Sequence, residues 1–423
     1  MISKESLRPI VKEQMEILAL PSWIDRTIHP DIDKYSGSSA LIVKGIRRCG
    51  KSTLMRQVME KKFKEEYWYF NFDDERIGKF GAADFQALME VFDELFPGRS
   101  ALFLDEIQNV PEWELFVNRI LREGKKVFIT GSNATLLSKE LGTRMTGRHV
   151  DIELFPFSFK EYLAAKKFSI DSHQTYTTKE MSLLEKHFLE YLSIGGMPEA
   201  VLTGNGAMLQ QIMGDIIQKD ILYRYALRKP LELRSVIQFL LGNISNRFTY
   251  RAISNNFGIK SYQTIQKYIQ YAEETYLLFT VNRFEHKAKL FDKNPKKIYC
   301  YDNGIAIRNS TGLVENKGAL LENVVAIELK RRGKNIYYHT NRNGTETDFI
   351  ALNPTNPKER DVIQVCFSVE NPLTMLREEK AIIQTLHELN QKKGVILSLH
   401  AEEIKRIDGK EIHYVPVWKW LLS

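Results

Sequence analysis

Residues 45–52, GIRRCGKS, match the pattern G-x-x-x-x-G-K-[ST] of a phosphate-binding loop. Gly45 and Gly50 let the backbone wrap closely around phosphate. Lys51 is predicted to reach the β and γ phosphates, and Ser52 to ligate Mg²⁺. The full set of predicted nucleotide-binding residues is Gly45, Ile46, Arg47, Arg48, Cys49, Gly50, Lys51, Ser52, Thr53 and Ser132.

The surroundings of this loop argue against a chance match. The apolar run ALIVK precedes it and predicts a buried strand, while STLMRQVMEKKF follows it and predicts a helix. A phosphate loop needs this order, because loop amides and the helix N-terminus must face the phosphates.

A second strand, SALFLDEIQ, ends in two acids, Asp105 and Glu106. Phosphoryl transfer needs one carboxylate to hold Mg²⁺ and another group to orient the attacking water. Asp105 is predicted to hold the metal and Glu106 to act on the water. Ser132 and Asn133 follow a third strand, KKVFIT, and are predicted to hydrogen-bond the γ-phosphate or the water; the alternative is an ordinary turn.

Two arginines after the third strand, Arg144 and Arg148, are candidates for stabilising the transition-state charge. They would act within the chain or on a neighbouring subunit of a homo-oligomer, and the alternative is a surface position for either residue. The predicted catalytic residues are Glu106, Asn133, Arg144 and Arg148.

Five segments together resemble a family of prokaryotic AAA-class P-loop ATPases with a C-terminal domain similar to restriction endonucleases. They are GIRRCGKST, LFLDEIQNVPEWE, ITGSNATLL, GRHVDIELFPFSFKEYL and YLSIGGMPEAV. The similarity runs from about residue 40 to about residue 400. The resemblance implies ATP rather than GTP as the nucleotide, with Mg²⁺ as its metal.

Residues 248–284 read as a helix-turn-helix, and the apolar runs YLLFTVNRF and KKIYCYD read as the strands of a wing. Ser261, Gln263, Thr264 and Lys267 would face a DNA groove or its phosphates. Residues 221–300 hold 14 Lys and Arg against 5 Asp and Glu, which favours a polyanionic partner such as double-stranded DNA. The alternatives are a solvated basic face or a protein-contact module.

The resemblance assigns the C-terminal domain a nuclease-like site, which consists of a helix Glu, a strand Asp and then Glu-x-Lys. Glu322 and Asp348 fit the first two positions, but the third reads Gln364-Val365-Cys366. Gln removes a metal-binding charge and Cys does not replace the lysine, so we expect a degenerate site without cleavage. Replacement of the lysine by Lys380 is the alternative.

The length of 423 residues predicts more than one domain. We expect an α/β fold: a parallel P-loop sheet of the AAA type over 1–165, a helical region over 166–230, a winged helix over 231–305 and a nuclease-like α/β domain over 306–423. No apolar run approaches the roughly 20 residues of a membrane span, no secretory signal is visible, and three separated cysteines favour the cytoplasm.

These observations predict an ATP- and Mg²⁺-dependent ATPase whose nucleotide state controls DNA engagement. The first alternative is a nucleotide-gated switch that contacts a protein partner instead of DNA. The second alternative is an active, ATP-regulated and Mg²⁺-dependent nuclease.

Overall fold

The computed structural model of the chain describes residues 2–16, 23–28, 39–78, 80–132, 147–169, 176–227, 229–285, 294–310, 316–368 and 371–423. The chain divides into two compact units, Met1–Phe155 with Glu274–Tyr276, and Pro156–Glu273 with Leu277–Ser423. Within the described ranges, every helix is too short or too polar to cross a membrane. The four predicted domain ranges stay predictions.

The first unit is built on a parallel sheet. Its five strands in the described chain are β1 (Ala40–Lys44), β2 (Tyr67–Asn71), β3 (Ala101–Asp105), β4 (Lys126–Gly131) and β5 (His149–Glu153), in the order β2-β3-β4-β1-β5. Every residue of β1 and β3 is buried, as expected for parallel strands covered on both faces. The prediction of an α/β fold with a parallel sheet is confirmed.

Helices accompany this sheet and supply its aromatic core. The α-helices of the unit's described part are Lys4–Glu16, Lys51–Val58 with a π-helical turn Met59–Phe63, Asp84–Leu95 and Trp113–Arg122, and two short 3-10 helices are Glu75–Ile77 and Ile107–Asn109. Trp68, Phe70, Phe92 and Trp113 are fully buried in one cluster. Such burial provides most of the stability that short helices lack in isolation.

The strand order places the segments that follow β1, β3 and β4 at one edge of the sheet. β4 lies between β1 and β3, so the segments that follow these three parallel strands leave from the same edge. The phosphate loop follows β1, Glu106 follows β3 and Ser132 follows β4. The carboxyl edge of a parallel sheet is where such folds bind ligands.

The second unit begins with helices. Its helices in the described ranges are Phe159–Ala165, Thr178–Ile194, Pro198–Thr203, Met208–Asp215 continuing through a π-helical stretch Ile216–Leu222 to Tyr223–Tyr225, Pro230–Gly242, Tyr250–Asn256, Tyr262–Glu274, Asn303–Arg308, Lys317–Arg331, Pro372–Glu388 and Val417–Leu422.

A mixed sheet forms the rest of the second unit. Its nine strands in the described part are β6 (Arg247–Phe248), β7 (Leu278–Arg283), β8 (Lys296–Cys300), β9 (Asn335–Thr340), β10 (Glu346–Asn353), β11 (Asn356–Val365), β12 (Lys393–Ser398), β13 (Glu403–Ile407) and β14 (Lys410–Pro416). Their order in the sheet is β13-β14-β12-β11-β10-β9-β7-β8-β6.

Residues 248–300 contain two helices, Tyr250–Asn256 and Tyr262–Glu274, followed by β7 and β8, and the winged-helix assignment stays a prediction. Helix Tyr250–Asn256 is capped by the Thr249 side chain and ends near Gly258, whose φ of 64° suits glycine. β7 and β8 then pair antiparallel. β7 also pairs in parallel with β9, so these strands belong to the same sheet as the C-terminal strands.

Candidate functional site

The phosphate loop is shaped by its two glycines. A Cβ atom on Gly45 would lie 2.2 Å from the carbonyl oxygen of Leu154, so the backbone approach leaves no room for a side chain. Gly50 precedes helix Lys51–Val58 with a φ of 98°, and no side chain caps that helix start. The first amides of the helix are therefore left for an anion.

Lys51 lies inside the loop and is only 4% exposed. Its Nζ donates to the carbonyl oxygens of Gly45 and Ile46, both at 3.2 Å. The same Nζ is 3.7 Å from Oε1 of Glu106. The ammonium group thus donates its hydrogen bonds to neutral carbonyl oxygens. Phosphate oxygens are charged and therefore stronger acceptors, so they can replace these carbonyls.

Asp105 is buried at the end of β3 among hydroxyl groups. Its carboxylate accepts hydrogen bonds from Tyr69 Oη at 3.0 Å and from the Thr130 hydroxyl, and Ser52 adds another. Burial and the adjacent Glu106 raise the pKa of Asp105. Mg²⁺ prefers oxygen ligands, so the Asp105 carboxylate and the Ser52 hydroxyl fit it chemically.

Glu106 follows Asp105 in a strained conformation, with φ 53° and ψ 38°. Thr130 Oγ1 accepts its backbone N–H at 3.1 Å, while Ser132 Oγ donates to its Oε2 at 3.3 Å and Gln108 donates to the same oxygen. Burial opposes ionisation, but Lys51 and then Gln108 outweigh it and lower the pKa of Glu106. The lowered pKa keeps the Glu106 carboxylate ionised at neutral pH, and its role as the base stays a prediction.

Arg26, which the sequence does not predict as a site residue, holds the phosphate loop through buried hydrogen bonds. It is 4% exposed and donates to the carbonyl oxygens of Cys49 at 2.8 Å and Phe155 at 2.5 Å. Cys49 is fully buried, and burial raises the pKa of its thiol, so it acts as a neutral filler that donates to Leu154 O at 3.4 Å. Arg26 lies 23 residues before Cys49, outside any motif.

The remaining loop residues have different surroundings. Ile46 is fully buried, whereas Arg48 is exposed with a φ of 63°. Arg47 is 3.9 Å from Asp73 and also contributes to lowering the pKa of Glu106. Thr53 is half-buried in the first turn of the helix.

Of the two predicted arginines, Arg148 is the one that lies in the described part of the chain. Arg148 precedes β5, and its carbonyl oxygen accepts the N–H of Ala40, the first residue of β1. Arg148 thus lies at the opposite end of the sheet from Gly45, so a role in the same chain's site does not fit this arrangement. Asn133 and Arg144 lie outside the described residues.

The four predicted DNA contacts gather at the start of helix Tyr262–Glu274. Gln263 and Lys267 are exposed on neighbouring turns, and Thr264 and Ser261 are half-buried. Ser261 and Gln263 hydrogen-bond each other. The guanidinium of Arg251, from the preceding helix, lies 6.0 Å from the Tyr262 ring. The structure thus presents polar and basic groups on one exposed surface.

The three predicted nuclease-type residues do come together, around a cavity of about 320 Å³. Glu322 comes from helix Lys317–Arg331, Asp348 from β10 and Gln364 from β11. Gln364 accepts the Asp348 N–H at 3.3 Å and donates to Glu378 at 2.6 Å. Lys380 is exposed and is not among the residues found to line this cavity.

Lys297, also missed from the sequence, lies at the centre of this carboxylate cluster. Its Nζ is 2.8 Å from Glu322, 2.7 Å from Glu346 and 3.0 Å from Asp348. Burial alone would lower the pKa of Lys297, but Glu322 and the other acidic groups raise it well above its usual range. Burial and then Asp348 raise the pKa of Glu322, whereas the Lys297 charge opposes this shift and favours the carboxylate form.

Comparisons with known proteins agree with the P-loop geometry. Residues 37–163 match the model of an AAA domain, and residues 185–313 and 317–420 match two domains of unknown function, DUF8612 and DUF4143. The chain is 31% identical to the uncharacterized protein MJ1544 of Methanocaldococcus jannaschii, over the whole chain and 97% of that protein. It is also 31% identical to an uncharacterized protein of Haemophilus influenzae, over 89% of this chain and 93% of the other. The chain therefore belongs to one family with these proteins, and it combines an N-terminal AAA domain with a C-terminal DUF4143 domain.

Proposed function

We propose that this chain binds and hydrolyses ATP with Mg²⁺, and that its nucleotide state governs how the second unit engages double-stranded DNA. The observation that carries the ATPase assignment is the convergence of Lys51 and Glu106, 3.7 Å apart, beside the half-buried Ser52 and the buried Asp105. A phosphate-binding cation, a base and oxygen ligands for a metal are the components that phosphoryl transfer needs.

In the proposed reaction, Lys51 exchanges the carbonyls of Gly45 and Ile46 for phosphate oxygens. Ser52 and Asp105 would hold Mg²⁺, which when bound neutralises phosphate charge. Glu106 accepts a proton from the attacking water, and Ser132 holds the Glu106 carboxylate in place through the 3.3 Å hydrogen bond. Arg144 or Arg148 from a neighbouring subunit would add positive charge to the transition state.

DNA engagement is supported by the helix-turn-helix and by the basic balance of residues 221–300. Part of that balance is internal, since Lys297 is only 2% exposed and neutralises buried carboxylates. The exposed Lys260, Lys267 and Arg251 remain on or beside the helix pair. We also propose that the second unit contains a restriction-endonuclease-like domain that does not cleave DNA.

A protein partner is the second candidate function, and one observation favours it. Helix Pro372–Glu388 exposes Leu373 by 78% and Leu376 by 61%, three residues apart on one face. Exposed apolar side chains that share a helix face are a common basis of protein contacts. This surface would serve a nucleotide-gated switch without DNA.

ATP turnover, measured with and without duplex DNA, tests the proposal. Lys51→Ala should abolish turnover, because the loop loses its phosphate-binding charge, whereas Lys12→Ala at an exposed position of the first helix should keep it. Stimulation or inhibition of turnover by DNA is expected. Turnover that survives Lys51→Ala would contradict the ATP site, and turnover indifferent to DNA would favour the protein switch.

A further inference from the structure

The carboxylate cluster of the second unit already contains a cation. An ammonium group has three N–H donors, and those of Lys297 have three carboxylate acceptors, Glu322, Glu346 and Asp348, at 2.7–3.0 Å. The side chain of Lys297 is 2% exposed. The three acidic side chains thus converge on one nitrogen atom in the interior of the protein.

The fold delivers this lysine by strand alternation. Lys297 and Tyr299 lie two residues apart on β8, on the same face, and Tyr299 Oη donates to Glu322 at 2.6 Å. The neighbouring Lys296 points elsewhere, with its Nζ 5.6 Å from the ring of Tyr250. β8 therefore contributes both groups that hold Glu322 in place.

Two further carboxylates that line the cavity, those of Asp348 and Glu378, have additional partners. Asp348 Oδ2 accepts the Val365 N–H at 3.0 Å, and Glu378 pairs with Arg377 at 2.6 Å. Gln364 is neutral and holds Glu378. Among the described residues, no group of three or more His, Cys, Asp or Glu side chains is arranged to hold a metal ion. The positive charge of Lys297 would repel a divalent ion in this cluster, so the side chains present do not fit such an ion.

We propose that the Lys297 ammonium is the resident cation of this cluster and takes the place that a divalent metal ion has in a nuclease-type site. The inference rests on the proposed nuclease-like nature of the second unit, and not on ATP hydrolysis. It makes the unit a metal-free module, in which an internal ion cluster joins β8 to β10 and to helix Lys317–Arg331.

Mn²⁺ binding by the full chain, followed by electron paramagnetic resonance without nucleotide, tests this proposal. An Asp105→Asn background removes the metal ligand of the P-loop site. In that background Lys297→Met, which keeps the length of the side chain, should bind Mn²⁺ at least about tenfold more tightly, because one opposing charge is gone. Lys296→Met is the matched control and should bind no better than the background.

Asp348→Asn, made with and without Lys297→Met, tests whether any Mn²⁺ binds at this cluster. Adding Asp348→Asn to the Lys297→Met protein should remove the new Mn²⁺ binding. In the background protein with Lys297 intact, Asp348→Asn should change nothing. The proposal is overturned if Lys297→Met gains no Mn²⁺, or if the intact background binds Mn²⁺ in a way that Asp348→Asn abolishes. The second readout needs no Lys297 variant, so it holds even where that variant folds poorly.

Discussion

Glu106 adopts a left-handed backbone conformation directly after β3, beside the phosphate loop. A non-glycine residue in the left-handed region costs about 1 kcal/mol or more, and proteins tolerate this cost mainly at functional sites. Here the conformation turns the chain after β3 and places the carboxylate 3.7 Å from Lys51. The strain is consistent with a side chain that must be positioned for chemistry.

Replacing Glu106 by Gln should separate binding from hydrolysis. Glu106→Gln keeps the size of the side chain but removes the base, so we expect kcat to fall about 10²–10⁴-fold while ATP binding is retained. ATP binding is measured by fluorescent-analogue titration and hydrolysis by phosphate release. The control is Glu123→Gln, an exposed residue paired with Arg119. Hydrolysis at the original rate would remove Glu106 from the mechanism.

Among individual residues, the sequence predicts those that lie in one short motif. It does not predict site residues that are distant from the motif along the chain. Lys51 and Ser52 follow from spacing, because a phosphate loop is local. Arg26 contacts Phe155 across 129 positions, and Lys297 contacts Asp348 across 51. No pattern links such pairs, since tertiary packing alone brings them together.

Among the elements, the segment before β1 stabilises the phosphate loop through Arg26. Arg26→Ala would leave the carbonyls of Cys49 and Phe155 without this donor, at a cost of about 1–3 kcal/mol for each buried group that stays unpaired. We expect a lower thermal midpoint and weaker ATP binding, measured by calorimetry. Arg8→Ala is the control, because its ion pair with Glu94 is exposed and contributes little. Unchanged ATP affinity would show that the loop keeps its shape without Arg26.

The start of helix Asn303–Arg308 provides a pH-dependent contact. Asp302 caps this helix, accepting the N–H groups of Ile305 at 2.9 Å and Gly196 at 2.6 Å. Burial raises its pKa to about 6, although these hydrogen bonds oppose the shift. Because the folded state binds this proton more tightly than the unfolded state, the contribution of Asp302 to stability is greatest at low pH. It is lost as the pH rises from about 4 to about 6.

Asp302→Asn should remove that dependence on pH. Between pH 4 and 7, the wild-type free energy of unfolding should fall by roughly 3 kcal/mol more than that of the variant, as expected for a shift of about two pKa units. Thermal midpoints of both proteins, recorded across this range, provide the measurement. All other groups titrate in both proteins, so parallel curves would contradict the role of Asp302.

The sequence predicted long apolar strands better than marginal ones. β1 and β3 are continuous buried runs, and their apolar sequences predict both strands. β5 was missed, because HVDIE has one buried residue, Ile152, and an exposed Asp151. Its strand form comes from pairing with β1 at the edge of the sheet, which local sequence does not encode.

For the whole molecule, the sequence gives the order of segments but not how strands from different segments share a sheet. β7 pairs with β9 through Asn282 and Tyr337, which no periodicity links. β7 and β8 therefore share a sheet with the C-terminal strands, across the predicted boundary at residue 305. A DNA-binding surface on helix Tyr262–Glu274 would consequently be fixed to the sheet that carries Asp348.

DNA binding by the full chain should depend on salt and on Lys267. If Lys267 meets a DNA phosphate, Lys267→Glu weakens binding and lowers the slope of log affinity against log salt by about one or more. Fluorescence anisotropy with a labelled duplex, between low and physiological salt, measures both quantities with and without ATP. Lys186→Glu, an exposed residue on helix Thr178–Ile194, makes the same change in net charge away from the helix pair. Equal losses of DNA affinity in both variants would show that the effect comes from overall charge. If no DNA binding is detected even at low salt, the protein-partner function is favoured instead.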